Sequence, residues 1–267
     1  MVDSDRFADA DGSDADLGPL LAGKVVLVKG ARRGIGAAIA QASARAGAEV
    51  ALFATAPSVE TAQRIVAATG SEPLVLAGDI ARAEDAEAMV EATAQAFGRI
   101  DVLVNNAAVL HVGGLFETSE EQLRRTFDVN VAGVFLASRA AARRMVEQGH
   151  GGAILNIGSD LAVRGADGYA AYSASKGAVL QLTRTLAIEL GPHGIRVVML
   201  APGATETDMA AAALRDPAAR QALCAKGVLG SINHPRDVAA AAVFLASPAA
   251  RTVTGCNWPV DGGVMAR

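Results

Sequence analysis

A chain of 267 residues with 51% hydrophobic content is long enough to bury one large core. Its formal net charge of −4 excludes the basic footprint of a nucleic-acid-binding protein, and no apolar run is long enough to cross a bilayer. Two cysteines, Cys224 and Cys256, match no metal or redox spacing and read as the reduced thiols of a cytoplasmic protein.

The first stretch, "MVDSDRFADADGSDADLGPLLAG", is acidic and has no apolar h-region, so it does not read as a signal peptide. Residues 1–20 are expected to form a mobile acidic tail, and residues 21–267 a single domain.

From Gly23 onward, short apolar runs alternate with helical patterns. "KVVLV" reads as a buried strand, followed by the helix "IGAAIAQASARAG", closed at Gly47. "EVALFA" is the second strand. A helix follows from Ser58, a good N-cap, to Ala68. "PLVLAGD" is a strand, "AEDAEAMVEATAQAFG" a helix, and "IDVLVNNAA" a strand that runs into a turn. One long helix is expected from about Thr126 to Gln148. "GAILNIGS" is the fifth strand, and "GYAAYSASKGAVLQLTRTLAIEL" a helix from Gly168 to Leu190. "GIRVVMLAPG" is the sixth strand, "HPRDVAAAAVFLAS" a helix, and "GCNWPVDGG" a last short strand and turn. Strands that are apolar throughout and separated by helices imply an α/β fold, with a parallel sheet covered on both faces.

Four positions in this frame carry chemistry. The first strand enters "KGARRGIG", which places Gly30, Gly34 and Gly36 in a strand-to-helix turn where backbone can approach a pyrophosphate. The spacing is Gly-x-x-x-Gly-x-Gly rather than the usual Gly-x-Gly-x-x-Gly. The second strand ends in Ala54 and Thr55 with no carboxylate to hold a free ribose hydroxyl. Arg32 and Arg33 offer guanidinium groups to a phosphate instead, which favours NADP(H) over NAD(H). Asp79 is suited either to the adenine amino group, with the Ile80 amide beside it, or to capping the next helix. Finally, Tyr172 and Lys176 stand one helical turn apart on one face.

The glycine turn, "NNAA", Asn130 in "FDVNVAG", Ser159 in "NIGS", "YSASK" and "PGATETDM" together resemble the short-chain dehydrogenase/reductase family, across nearly the whole chain from Gly23. "GAEVALFATAPS" is most similar to the NADP-dependent 3-oxoacyl-(acyl carrier protein) reductases. The resemblance implies a single-domain Rossmann-like, doubly wound fold with seven parallel strands in the order 3-2-1-4-5-6-7. It also implies a homotetramer or dimer, and a substrate lid over about residues 204–230. It assigns catalysis to Asn130, Ser159, Tyr172 and Lys176, with Asn130 holding a water that links Lys176 to solvent. NADP(H) binding then falls to Gly30, Arg32, Arg33, Gly34, Ile35, Gly36, Thr55, Asp79, Ile80, Asn106, Ala107, Pro202, Gly203, Thr205 and Thr207, together with Tyr172 and Lys176.

By that resemblance Tyr172 is the proton donor or acceptor at the substrate oxygen, and Ser159 positions that oxygen. The Lys176 ammonium is expected to lower the Tyr172 pKa. A carbonyl compound or secondary alcohol is the expected substrate, with no nucleic acid, membrane or metal involved. Leu110, His111, Leu161, Val163, Tyr169 and Met209 are candidates for the pocket wall. Two further readings are a 3-oxoacyl thioester reductase and a catalytically silent nucleotide-binding regulator.

The chain departs from the family in three places. Lys29 replaces the threonine that normally ties the glycine turn to the fourth strand, and is expected either to sit near the phosphates or to snorkel outward. Ala108 replaces the glycine of "NNAG". Ile188 stands where carrier-protein reductases often have arginine, although Arg139, Arg143 and Arg144 leave a basic cluster nearby.

Overall fold

The computed structural model describes residues 18–267. The part of the expected acidic tail before Gly18 lies outside the described residues. From there the chain turns into Leu21, which is fully buried.

Seven parallel strands form one sheet in the order β3-β2-β1-β4-β5-β6-β7. They are β1 (Val25–Lys29), β2 (Glu49–Ala54), β3 (Leu74–Ala77), β4 (Val102–Asn105), β5 (Gly152–Ile157), β6 (Ile195–Pro202) and β7 (Asn257–Val260). The helices are α1 (Gly34–Arg45), α2 (Val59–Thr69), α3 (Ala83–Phe97), α4 (Glu120–Phe127), α5 (Gly133–Gln148), α6 (Ala170–Leu190), α7 (Ala211–Arg215), α8 (Pro217–Lys226) and α9 (Pro235–Ala246).

Two-residue alternation along β1 explains the two layers. Val26 and Val28 share a core with Ile39 and Ala40 of α1 and with Val238 and Val243 of α9. Val25 and Leu27 share the opposite core with Met89 of α3 and with Ala137, Ala141 and Met145 of α5. Arg196 of β6 fastens the edge by donating to the last carbonyls of α9, Leu245 O at 2.7 Å and Ser247 O at 3.2 Å.

The helix expected from Thr126 begins earlier and is interrupted. Ser119 and Gln122 form a reciprocal capping box, with Gln122 N donating to Ser119 Oγ at 3.2 Å and Ser119 N to Gln122 Oε1 at 2.8 Å. That cap starts α4 at Glu120. A π-helical segment, Asp128–Ala132, then separates α4 from α5. Such wide turns break the i→i−4 ladder and occur frequently at functional sites; this one carries Asn130. Ser58 occupies the N-cap of α2, but its side chain makes no capping bond there; Oγ is buried without a partner.

Candidate active site

The carboxyl ends of β1, β4, β5 and β6 converge on one crevice, where ligands bind in open α/β sheets. The glycine turn is pressed against the end of β4. Gly30 has a φ of +79°, and a Cβ there would lie 2.8 Å from Ala107 Cα. A Cβ at Gly36 would lie 2.2 Å from the Gly30 carbonyl oxygen. Asn106 Nδ2 donates to Gly30 O at 3.0 Å, and α2 supports the turn from behind through Thr61 Oγ1, which donates to Ala31 O at 2.9 Å. Ile35 packs onto the core beneath. Arg33 is the N-cap of α1, and its side chain makes no capping bond there. A turn that only glycine fits, opening an uncapped helix, suits a pyrophosphate.

The remaining predicted cofactor residues lie in the glycine turn and in the segments that follow β2, β3 and β6. Thr55 is exposed at the end of β2, and Arg32 and Arg33 are exposed in the turn. Arg33 Nη1 pairs with Asp208 Oδ2 at 3.1 Å, between two well-exposed side chains. Thr207 reaches the turn from the other side: its Cγ2 would lie 3.3 Å from a Cβ at Gly34. Pro202 ends β6, Gly203 follows it, and Thr205 Oγ1 donates back to Gly203 O at 2.9 Å. Asp79 does not cap α3, whose N-cap is Arg82. Its Oδ1 accepts from Ala81 N at 3.0 Å, and its Oδ2 from Arg125 Nη2 at 3.2 Å, while Ile80 is buried beside Gly133.

Lys29 does not snorkel outward. It lies on the Val25–Leu27 face of β1 and is fully buried, with no hydrogen-bond partner for Nζ. Burial first, and the Lys176 charge second, lower its pKa to about 7. The tie between β1 and the end of β4 survives without the threonine because backbone supplies it: Ala107 N donates to Lys29 O at 3.0 Å.

The structure brings Ser159, Tyr172 and Lys176 together at the ends of β5 and α6. Lys176 is buried, donates to Ile157 O at 2.7 Å, and sits 5.5 Å from the centre of the Tyr172 ring. Burial lowers its pKa to about 8. Tyr172 departs from expectation. Its pKa is raised, not lowered, because burial around the hydroxyl and then the Asp160 charge disfavour the phenolate more than the Ser159 hydroxyl favours it. Ser159 Oγ donates to Asp160 Oδ1 at 2.9 Å and accepts from Leu161 N at 3.1 Å.

Asn130 is buried and its side chain bridges elements. Oδ1 accepts from Val109 N at 2.9 Å, while Nδ2 donates to Val109 O at 3.0 Å and to Ser175 Oγ at 3.1 Å. It therefore fixes the loop after β4 against α6.

A constellation of serine, tyrosine and lysine at the strand ends, beside a glycine turn that only backbone can fill, matches the comparisons with known proteins. The family model described as Enoyl-(Acyl carrier protein) reductase matches residues 30–265. The chain belongs to the short-chain dehydrogenase/reductase family. It is 39% identical to an L-rhamnose 1-dehydrogenase (NAD(P)(+)) of Azotobacter vinelandii, over 92% of this chain and 98% of that one. It is 38% identical to a 3-oxoacyl-[acyl-carrier-protein] reductase of Vibrio cholerae, over 91% and 98%. A crystal structure from Agrobacterium tumefaciens, described as a 2-deoxy-D-gluconate 3-dehydrogenase with bound NADP, superposes with a TM-score of 0.87 at 37% identity, covering 93% of this chain and 99% of that one.

For a short-chain dehydrogenase/reductase, two features of this site escape motif reading. One is the Asp160–Arg164 ion pair against Ser159. An acid next to the serine with an arginine four residues on was the available signal. The other is Ser175, which donates to Tyr172 O at 2.7 Å and receives Asn130; nothing in its immediate sequence distinguishes it. Among the described residues no helix is long and apolar enough to cross a membrane, and no cluster of metal-ligating side chains occurs.

Proposed function

We propose that this chain is an NADP(H)-dependent oxidoreductase that interconverts a secondary alcohol and its carbonyl in small polyhydroxylated compounds. The observation that carries it is the placement of Tyr172, Ser159 and buried Lys176 at the strand ends next to the glycine turn. Bound NADP(H) supplies or accepts the hydride. Arg33 and Thr55 at the rim bind the 2′-phosphate, with Arg32 beside them, and the α1 N-terminus binds the pyrophosphate. Asp79 and Ile80 border the adenine. Lys176 holds the nicotinamide ribose, Asn106, Ala107 and the Pro202–Thr207 segment border the nicotinamide side, and Tyr172 gives or takes the proton at the substrate oxygen. Ser159 fixes that oxygen, and Asn130 holds the water that connects Lys176 to solvent.

The segment at residues 204–230 serves as the substrate lid, hinged beside the glycine turn through Arg33 and Asp208. Association into a homotetramer or dimer is supported by the apolar side chains exposed on the two long helices, Phe135 and Val146 of α5 and Ile188 of α6.

A 3-oxoacyl thioester reductase is the second reading, favoured by the Vibrio cholerae relative. Against carrier docking, Arg139 and Arg143 lie 3.6 and 3.8 Å from Glu87, so the basic cluster is partly neutralised within the chain. The deciding experiment follows nicotinamide absorbance with NADP⁺ or NAD⁺ and a panel of L-rhamnose, D-threitol and gluconate, and with NADPH or NADH and an acetoacetyl thioester. Turnover of a polyol or sugar with NADP⁺ is expected. Turnover of the thioester alone establishes the second reading. Tight NADPH binding with no turnover across the panel overturns both and leaves a silent nucleotide-binding regulator.

A further inference from the structure

A groove of about 670 Å³ lies along α1, and none of Ser159, Tyr172 and Lys176 lines it. Gly34, Ala37, Ala38, Gln41 and Arg45 form a stripe at helical spacing that runs the length of the helix. Arg64 joins it from α2, and Arg215, Arg220 and Arg236 join it from α7, α8 and α9. Arg32 and Arg33 stand at the glycine-turn end.

The groove holds seven arginines against three carboxylates, and each carboxylate is already paired. Glu60 pairs with Arg64 at 2.5 Å, Glu206 with Arg220 at 2.5 Å, and Asp208 with Arg33 at 3.1 Å. Arg32 and Arg215 have no carboxylate partner among the described residues. An excess of cations on one face, in a chain whose net charge is −4, suits an anion of several charges.

The chain itself carries such an anion. Residues 1–17, which lie outside the described residues, include Asp3, Asp5, Asp9, Asp11, Asp14 and Asp16 against a single cation, Arg6. The chain enters the fold at the far end of the groove, where Leu21 N donates to Ala46 O at 2.9 Å, one residue past Arg45. From there the twelve residues of α1 lead back to Arg33 over about 18 Å. About six extended residues cover that span, so Asp9 and Asp11 are within reach of Arg32 and Arg33.

We propose that this acidic segment docks along the arginine-lined face of α1 and competes with the 2′-phosphate of NADP(H) for Arg32 and Arg33, so that the chain sets its own cofactor affinity. The docking rests on the groove and the charge of the segment. The competition rests also on the reading of Arg33 as a 2′-phosphate ligand.

Replacing all six aspartates by asparagine in the full chain tests it, with calorimetric titration of NADPH and NADH. A tethered segment acts at about millimolar effective concentration, so weak contacts suffice, and the substituted chain should bind NADPH about fivefold more tightly at about 0.05 M salt. The difference should vanish at about 0.5 M salt, where exposed charges are screened. NADH affinity should stay the same throughout. Arg45→Gln, at the end of α1 remote from the glycine turn, should tighten NADPH about twofold in the parent and change nothing in the substituted chain. A synthetic peptide of residues 1–17, added to the substituted chain, should restore the weaker NADPH binding of the parent.

Equal NADPH affinity in the two chains, or equal shifts for NADPH and NADH, overturns the proposal. Binding of inorganic triphosphate that Arg45→Gln weakens, with no binding of the peptide, gives the groove to a small polyanion and overturns it as well. Arg33→Ala separates failure of the underlying reading. If that variant loses NADPH and NADH affinity equally, the 2′-phosphate does not sit on Arg33 and the competition falls. Peptide binding measured directly then decides the docking: saturable, salt-sensitive binding retains it, and no binding overturns it.

Discussion

Lys29 of β1 and Asn105 of β4 stand opposite each other in register, and each ends in a buried polar atom without a partner, Nζ and Oδ1. Asn105 is otherwise well bonded: its Nδ2 donates to Ser138 Oγ at 3.0 Å and to Asn156 Oδ1 at 2.9 Å, and Asn156 continues to Thr183 Oγ1 of α6 at 2.9 Å. Lys29 thus abuts the end of a polar ladder that reaches the catalytic helix.

That placement makes stability depend on pH. The folded chain releases the Lys29 proton at about 7, whereas the ordinary lysine value is 10.5. Between those values the unfolded chain binds more protons, so stability should rise with pH across this window and be lowest below it, where folding buries the charge. Lys176, lowered to about 8, adds to the rise above that point. Lys29→Met removes one contribution. Urea unfolding should show a gain of about 2 kcal/mol near pH 6, where a buried group lacks its partner, and a flatter rise above about pH 7. A variant no more stable than the parent near pH 6 would show that the Lys29 charge is compensated.

Tyr172→Phe deletes the proton carrier and should lower turnover by about 10²- to 10⁴-fold while leaving NADPH affinity nearly intact. Lys176→Ala should damage both, because its ammonium also grips the ribose. Since burial and Asp160 hold Tyr172 protonated, alcohol oxidation should accelerate as pH rises through the alkaline range. Reduction, which uses the phenol, should not. Initial rates in both directions across pH decide this; an oxidation rate independent of pH counts against Tyr172 as the base.

Cofactor choice turns on Arg33. A lost charge-assisted hydrogen bond is worth roughly 1.5–3 kcal/mol, so Arg33→Ala should weaken NADPH by about one to two orders of magnitude and NADH hardly at all. Asp208→Ala, which frees Arg33 from its ion pair, should tighten NADPH instead. Calorimetric titration of both cofactors reads both effects. Equal loss for NADPH and NADH would make Arg33 a support of the turn.

Gly36→Ala places a methyl 2.2 Å from the Gly30 carbonyl oxygen, a backbone atom that cannot step aside. Overpacking of this kind typically destabilises by about 1–3 kcal/mol. Because the strain falls on the glycine turn, cofactor affinity should drop more steeply than the melting temperature. Unchanged NADPH binding would place the pyrophosphate elsewhere.

The alternation of apolar runs with helical patterns, and hence the doubly wound α/β class, was legible in the sequence, because periodicity and turn residues act over only a few positions. The strand order and the grouping of Ser159, Tyr172 and Lys176 were implied only by the resemblance to a family; the sheet has that order, and Lys176 lies against the Tyr172 ring. The break in the helix expected from Thr126 was not legible: a π turn at Asp128–Ala132 depends on how Asn130 bridges Val109 and Ser175, partners distant in the chain. The fates of Lys29 and Tyr172 belonged to the tertiary structure too. Period-two alternation puts Lys29 on the face of Leu27, but only the packing of β4 and the helices decides whether that end of the face opens to water. Spacing on α6 sets Lys176 near Tyr172, yet the burial around the phenol and the carboxylate of Asp160 outweigh the favourable influences on the phenolate. A pattern is local, whereas the free energy of a charge sums over every neighbour and every excluded water, and those are assembled only when the chain folds.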